Sequence, residues 1–108
     1  MKRGDIVIVA VKGEYGKPRP AVIVQAGEID DIDTVLVCLF TSNREQARSF
    51  RYLVEPSPEN GLRAPSSIMV DKITIVLRNK IESPVGRLSP AEMAEVDLRL
   101  ALMLGLGR

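Results

Sequence analysis

The chain has 108 residues, of which 45% are hydrophobic, and its 15 basic residues nearly balance 14 acidic ones. This length fits a single domain, residues 1–108, and the composition is typical of a folded protein rather than a disordered one. Histidine is absent and cysteine occurs once, which excludes histidine acid–base catalysis and an internal disulfide and argues against a zinc site. No stretch approaches the ~20 apolar residues of a membrane-spanning helix. Residues 1–5 lack the apolar core of a signal peptide, so we expect a cytoplasmic protein.

Five short segments are predicted to form β-strands. They are rich in apolar, mostly β-branched residues and are separated by segments containing glycine, proline or asparagine. The predicted strands cover residues 6–11, 21–25, 34–40, 50–54 and 67–76, and the last is long enough to bend. Cys38 lies in the third strand, where we expect a buried structural thiol. Strands joined by turns predict a small antiparallel sheet or barrel.

The C-terminal segment begins with a helix-start signature. Ser89 is a capping residue, Pro90 takes the first helical position and Glu92 the third. From residue 93 onward apolar side chains recur at three- and four-residue steps, and they surround nearly the whole helix in its last turns. Gly105 and Gly107 end the helix. We expect it to pack on the sheet, on a partner, or on both.

Residues 16–20 have the sequence Gly-Lys-Pro-Arg-Pro and lead directly into the second predicted strand. Each proline fixes its own backbone angle and keeps the preceding residue extended, which predicts a stiff loop that presents Arg19 at the strand start. Such a guanidinium is positioned to bind a phosphate or a carboxylate. The alternative is a structural ion pair, and this segment alone leaves both possibilities open.

Four segments, in order along the chain, share a family likeness. They are residues 3–7 (Arg-Gly-Asp-Ile-Val), residues 16–20, residues 40–43 (Phe-Thr-Ser-Asn) and residues 67–73 (Ser-Ile-Met-Val-Asp-Lys-Ile). Together they resemble the MazF/PemK-type toxins of bacterial toxin–antitoxin systems. The resemblance implies a mainly β fold with α, a CcdB/PemK-like SH3-like barrel with a C-terminal helix. It also implies a homodimeric, sequence-selective endoribonuclease that cuts single-stranded RNA without a metal or other cofactor, and a small antitoxin with a disordered inhibitory tail.

The same resemblance implies the catalytic residues. The family's arginine and threonine fall on Arg19 and Thr41, and its late-strand acidic residue falls on Asp71. Some members have a histidine in the first loop, where this chain has Glu14, and some have an arginine at the position of Met69. These departures leave the roles of Glu14 and Asp71 open, whereas Arg19 and Thr41 match the family.

These residue types suit RNA cleavage by the ribose 2′-OH. Arg19 would stabilise the negative charge that develops on the phosphate, and Thr41 would bind a phosphate oxygen or the 2′-OH. A carboxylate, Asp71 or Glu14, is the candidate proton acceptor. The structural alternatives are a Thr41 hydroxyl bonded to the backbone and an Asp71 carboxylate paired with Lys72 or a neighbouring arginine.

Further candidates would contact the RNA without taking part in the chemistry. They are Lys17, Ser42, Arg44, Arg48 and Tyr15. The arginines could equally form a solvated loop face, and Tyr15 or Tyr52 could either stack on a base or pack in the core.

Two other functions remain open from the sequence. One is a non-catalytic toxin of the same fold, of the gyrase-poison type. The other is an SH3-like binding module, which normally has an aromatic-lined groove, whereas this chain has two Phe, two Tyr and no Trp.

Overall fold

The computed structural model describes residues 1–10, 17–42 and 50–106. Within these segments the chain forms a β-sheet followed by one α-helix. The elements in chain order are β1 (Asp5–Ala10), β2 (Pro18–Ile23), β3 (Thr34–Thr41), β4 (Tyr52–Val54), β5 (Ser66–Leu77), a short 3-10 helix (Arg78–Lys80), β6 (Gly86–Arg87) and α1 (Pro90–Met103). All five predicted strands are present. The sequence did not predict β6, because a strand of two residues is too short to show an alternating pattern.

The strands form one antiparallel sheet in the order β4-β5-β3-β2-β1-β6. The last long strand, which we expected to bend, contains a shift of register against β3. Cys38 pairs with Ile73, but Phe40 pairs with Ile68, so Leu39 alone faces residues 69–72. Extra residues on one strand bend it and increase its twist. The curved, half-barrel sheet with a C-terminal helix confirms the predicted fold class.

Both sides of the sheet are buried. The side covered by α1 contains Ile6, Val22, Cys38, Phe40, Val54, Ile68, Val70, Leu88, Val96 and Leu100. The opposite side contains Val7, Val9, Ala21, Ile23, Val35, Val37, Leu39, Met69 and Val76. The Cys38 thiol is fully buried, and burial raises its pKa to about 12, which confirms the structural thiol.

The helix begins after Ser89 and ends before Gly105, as predicted, and Gly107 lies outside the described residues. The Ser89 hydroxyl accepts a hydrogen bond from the Glu92 backbone N–H, and the Ser89 N–H donates to the Glu92 carboxylate, so the capping box is complete. At the other end Gly105 has a positive φ of 74°, and the Leu106 N–H donates to the Ala101 carbonyl. No helix in the described segments is long and apolar enough to cross a membrane.

The edge strand β6 is held by a close approach to a turn. Gly86 pairs with Ile6 of β1, and the Arg87 N–H donates to the Glu59 carbonyl at 2.9 Å. The turn itself is fixed by Asn60, whose side chain is buried and bonded to three backbone groups. A Cβ atom at Gly86 would overlap the carbonyl group of Asn60, so this position requires glycine.

We therefore expect Gly86→Ala to lower the free energy of unfolding by about 2 kcal/mol or more, since the turn or β6 must move to accept a methyl group. Gly27→Ala is the matched control, because a Cβ atom there meets nothing within 4 Å. Urea unfolding of both variants measures the difference. Equal stabilities would contradict the close approach.

Candidate functional site

Arg19 lies inside β2 and not in a loop before it. The strand begins at Pro18, and Arg19 pairs with Val9 of β1. The expectation that residues 18–20 form a loop is therefore wrong. The two prolines are tolerated because β2 pairs with β3 only at residues 21–23. At residues 18 and 20 there is no hydrogen bond to β3 for a proline, which has no N–H group, to interrupt. The backbone around Arg19 is nonetheless extended, as predicted.

Arg19 and Thr41 lie in the neighbouring strands β2 and β3, on the same side of the sheet. Ala21 pairs with Leu39, and Arg19 and Thr41 each lie two residues from one member of this pair. Side chains alternate along a strand, so both lie on the same sheet side as Ala21 and Leu39. The sheet thus places the two residues that match the family motifs on one side of two neighbouring strands.

A third polar residue continues this arrangement on the next strand. Thr41 pairs with Ser67 of β5, and Ser67 pairs in turn with Leu53 of β4. We call Arg19, Thr41 and Ser67 the polar row, since they lie on one side of the sheet in the three neighbouring strands β2, β3 and β5. Ser67 is not among the site residues predicted from the sequence. Ser67 is recognised as a site residue only by its pairing with Thr41, and the sequence alone does not show this pairing.

The polar row combines one guanidinium with two hydroxyl groups. Arg19 and Thr41 are half-buried and Ser67 is 8% exposed, so the row lies at the border of the apolar cluster on this side of the sheet. A fixed guanidinium with adjacent hydroxyl donors suits a phosphate group, which offers several acceptor oxygens. In the described segments no three His, Cys, Asp or Glu side chains come together as a metal-binding group.

Two of the other RNA-binding candidates lie at the same end of the sheet. Lys17 is exposed just before β2, and Ser42 is exposed just after β3. Both therefore border the polar row. Four of the predicted residues lie outside the described segments. They are Glu14, Tyr15, Arg44 and Arg48.

Asp71 has the partner that its structural alternative predicts. The Arg51 guanidinium binds its carboxylate with two hydrogen bonds, Nε to Oδ1 at 3.2 Å and Nη2 to Oδ2 at 3.3 Å. These bonds hold the pKa of Asp71 below its ordinary value, an effect that its partial burial opposes. A carboxylate in this state is a weak proton acceptor. The catalytic role of Asp71 stays a prediction, and the contact favours a structural one.

Tyr52 is packed and does not present its ring for stacking. The Arg99 guanidinium lies 5.0 Å from the ring centroid, and Arg99 is itself bonded to Glu95 of α1. The ring also packs against the core cluster beneath α1. Of the two uses considered for Tyr52, the structure favours packing.

Known proteins resemble this chain over its whole length. The model of the family described as PemK-like, MazF-like toxin of type II toxin–antitoxin system matches residues 2–104. A protein of Mycolicibacterium smegmatis named "Probable endoribonuclease MazF" is 41% identical over 107 residues, which is 98% of each chain.

Two solved structures share the fold. One, titled as an endoribonuclease in complex with its cognate antitoxin from a mycobacterial species, superposes with a TM-score of 0.84 at 21% identity and covers 100% of this chain and 98% of its own. The Mycobacterium tuberculosis toxin MazF-mt6 gives a TM-score of 0.78 at 19% identity, covering 96% and 99%.

The curved antiparallel sheet with a capped C-terminal helix is the fold of these two solved structures. With the family match over residues 2–104 and the close mycobacterial relative, the chain belongs to the PemK-like and MazF-like toxins of type II toxin–antitoxin systems. The resemblance inferred from the four sequence segments is confirmed.

The lowered pKa of Asp71 predicts how stability changes with pH. A carboxylate whose pKa is lower in the folded state stabilises the fold above its unfolded pKa of about 3.9, and this stabilisation is lost as the pH falls through the folded value. We expect Asp71→Asn to be less stable than the wild type from pH 7 down to about pH 4, and the difference to shrink below that. Urea unfolding across this range measures it. A difference independent of pH would contradict the ion pair.

Proposed function

We propose that this chain is the toxin component of a type II toxin–antitoxin system and cuts single-stranded RNA, including messenger RNA, as a sequence-selective endoribonuclease. The observation that supports this most directly is the polar row, which aligns Arg19, Thr41 and Ser67 on one side of the sheet. Membership of the toxin family supports it as well, and the 41% identical relative is named an endoribonuclease. We place its action in the cytoplasm, where messenger RNA lies.

In the proposed reaction the ribose 2′-OH attacks the adjacent phosphorus. The bond from the 2′-oxygen to phosphorus forms, and the bond from phosphorus to the 5′-oxygen breaks. The 2′-OH loses a proton and the 5′-oxygen gains one, so the products are a 2′,3′-cyclic phosphate and a 5′-OH. Neither a metal nor a protein nucleophile is required for this step.

The polar row supplies the electrostatic part of this reaction. The Arg19 guanidinium would bind the non-bridging phosphate oxygens and stabilise the charge that builds up in the transition state. The hydroxyls of Thr41 and Ser67 would donate to the same oxygens or orient the 2′-OH. Because these side chains stand on paired strands, they are held in place before the substrate binds, which reduces the reorganisation needed during the reaction.

The proton acceptor must be sought elsewhere. Arg19 is unsuitable because a guanidinium stays protonated in proteins. Of the two candidate carboxylates, Asp71 is bound by Arg51, and its lowered pKa makes it a weak base. We therefore assign proton acceptance to Glu14, which lies in the segment before β2 and outside the described residues.

RNA would approach along the end of the sheet where the polar row lies. Lys17 and Ser42 are exposed there and would contact the phosphates on either side of the cleaved one. We propose the same binding role for the three candidates outside the described residues, Tyr15, Arg44 and Arg48.

A toxin must be silenced in the cell that makes it. We propose a small antitoxin whose disordered, acidic and apolar tail folds onto the RNA-binding end of the sheet and competes with the substrate. One structural relative was solved with its cognate antitoxin, which agrees with this proposal.

We also propose a homodimer. Leu98 and Leu102 are 55% and 62% exposed on successive turns of α1, and Leu104 and Leu106 beyond it are 56% and 74% exposed. An apolar surface of this kind marks an interaction site, and two-fold pairing is the commonest way to cover it. Paired helices would extend the core that a chain of this size can build alone.

The two alternatives from the sequence are not favoured. A non-catalytic toxin of the gyrase-poison type would not require the polar row, and the closely related MazF protein is named an endoribonuclease. An SH3-like binding module would present aromatic side chains in a groove. Of the described aromatic residues, Phe40 is buried, Tyr52 is covered by Arg99 and Phe50 alone is exposed, at 40%.

We expect the purified protein to cut a long RNA in EDTA and to leave 2′,3′-cyclic phosphate and 5′-OH ends. Arg19→Ala should lower kcat by about 100-fold or more, because it removes charge stabilisation from the transition state. Arg19→Lys should restore little, since a point charge does not replace the two-pronged guanidinium.

Arg63→Ala is the matched control and should stay near the wild type, because Arg63 is an exposed arginine outside the polar row. A requirement for Mg²⁺, 5′-phosphate products, or equal activity of wild type and both Arg19 variants would each contradict the proposed mechanism.

A further inference from the structure

The ion pair between Arg51 and Asp71 is unusually well enclosed for this chain. The Arg51 side chain is 5% exposed and that of Asp71 is 21% exposed. Both carboxylate oxygens receive a hydrogen bond from the same guanidinium, at 3.2 and 3.3 Å. A two-pronged contact of this kind fixes the orientation of both side chains, which a single hydrogen bond does not.

The pair spans the irregular part of β5. Between Cys38 and Phe40 the pairing partner on β5 jumps from Ile73 to Ile68, so residues 69–72 face Leu39 alone. These four residues therefore lack a regular ladder to β3 on that side. Asp71 is one of them, and its bond to Arg51 ties the bulge to the chain just before β4.

The bulge lies directly beside the polar row. Ser67 precedes it by two residues and pairs with Thr41 on one side and Leu53 on the other. Continuing the register of β4 against β5 by one residue beyond Tyr52 places Arg51 opposite Met69, on the same sheet side as Ser67. A slip of the bulge toward Ser67 would move the Ser67 hydroxyl away from Thr41.

We propose that Arg51 and Asp71 are positioning residues for RNA cleavage: their ion pair holds the bulge of β5 so that Ser67 stays next to Thr41. This inference rests on the proposed ribonuclease function. In this role Asp71 accepts hydrogen bonds from Arg51 and does not accept a proton from RNA. To act as a base, Asp71 would have to release an oxygen from Arg51 and leave a buried guanidinium incompletely paired.

Two substitutions at Asp71 separate these roles. Asp71→Asn keeps an oxygen that accepts from Arg51 but cannot accept a proton, whereas Asp71→Ala removes both abilities. If Asp71 positions Ser67, Asp71→Asn should lower kcat by less than about 10-fold and Asp71→Ala by considerably more. If Asp71 is the base, both variants should lose about 100-fold or more, and that result would overturn the inference.

A second set of variants tests whether the pair acts through Ser67 and does not depend on Asp71→Ala folding. Arg51→Lys keeps the charge but loses the two-pronged contact, and we expect kcat to fall about 10-fold. The double variant Arg51→Lys with Ser67→Ala should have nearly the same kcat as Arg51→Lys alone. The reason is that a Ser67 already displaced by Arg51→Lys contributes little to the reaction rate. Losses that multiply in the double variant would overturn the inference.

Arg99→Lys is the matched control for a general loss of stability. Arg99 also pairs with a carboxylate, that of Glu95, and stacks on Tyr52, and its side chain is 21% exposed, but it lies on the helix side of the sheet. It should lower the urea midpoint and leave kcat unchanged at temperatures where the protein is folded. If Arg99→Lys lowered kcat as much as Arg51→Lys does, the loss of activity in both variants would come from lower stability, and the inference would be overturned.

The wild-type measurement keeps the two claims apart. If the wild type cuts RNA in EDTA, the proposed function holds, and the ratios of variants to wild type alone decide the role of the ion pair. If the wild type cuts no RNA, the function fails and this inference fails with it.

Discussion

The site depends on the register of β3 against the strands on either side of it. Arg19 and Ser67 lie far apart in the sequence and share one end of the sheet only because β2 and β5 both pair with the strand that ends in Thr41. A slip of one residue would turn Thr41 to the opposite sheet side. Such a slip is prevented by burial, because Leu39 and Phe40 pack into the two apolar clusters on opposite sides of the same strand. The packing that stabilises the sheet therefore also sets the geometry of the polar row.

This arrangement accounts for an RNA-directed function in a chain with a net charge of only +1. Binding of a nucleic acid depends on the cations that reach its phosphates, so the local distribution of charge matters more than the total. Several acidic residues of this chain are already paired with arginines. They include Asp71 with Arg51, Asp97 with Arg3 and Glu95 with Arg99. Lys17 and Arg19 lie together at the start of β2, whereas the exposed acidic residues of the connection between β2 and β3 follow the opposite end of that strand.

Much of the fold could be predicted from local patterns. The β-branched runs predict five of the strands, and the Ser89 and Glu92 capping box predicts the start of α1 from chemistry that acts within a few residues. Local patterns also misplaced one element. The prolines at 18 and 20 indicate a loop, but they stand in β2, because a strand tolerates proline where it lacks a partner on one side.

The candidate site was only partly predictable, because some of its residues are marked by short motifs and others only by contacts between strands. Arg19 and Thr41 stand out because each falls in a short motif. Ser67 and Arg51 do not, because their importance comes from pairing across strands, with Thr41 in one case and with Asp71 in the other. No pattern along the chain records these contacts. An acidic residue in a family motif suggests catalysis, whereas its actual neighbour, a buried guanidinium, suggests that it holds the strand in place.

The claim that strand register builds the site is tested most directly by two adjacent serines. Ser66 and Ser67 are both 8% exposed, but they point to opposite sides of β5, and the Ser66 hydroxyl donates to the Ala64 carbonyl. The measurement is kcat for RNA cleavage by Ser67→Ala and by Ser66→Ala. We expect a fall of about 10-fold for Ser67→Ala, which removes the hydroxyl that we propose contacts the phosphate, and wild-type kcat for Ser66→Ala. Equal values for the two variants, or a larger fall for Ser66→Ala, would contradict it.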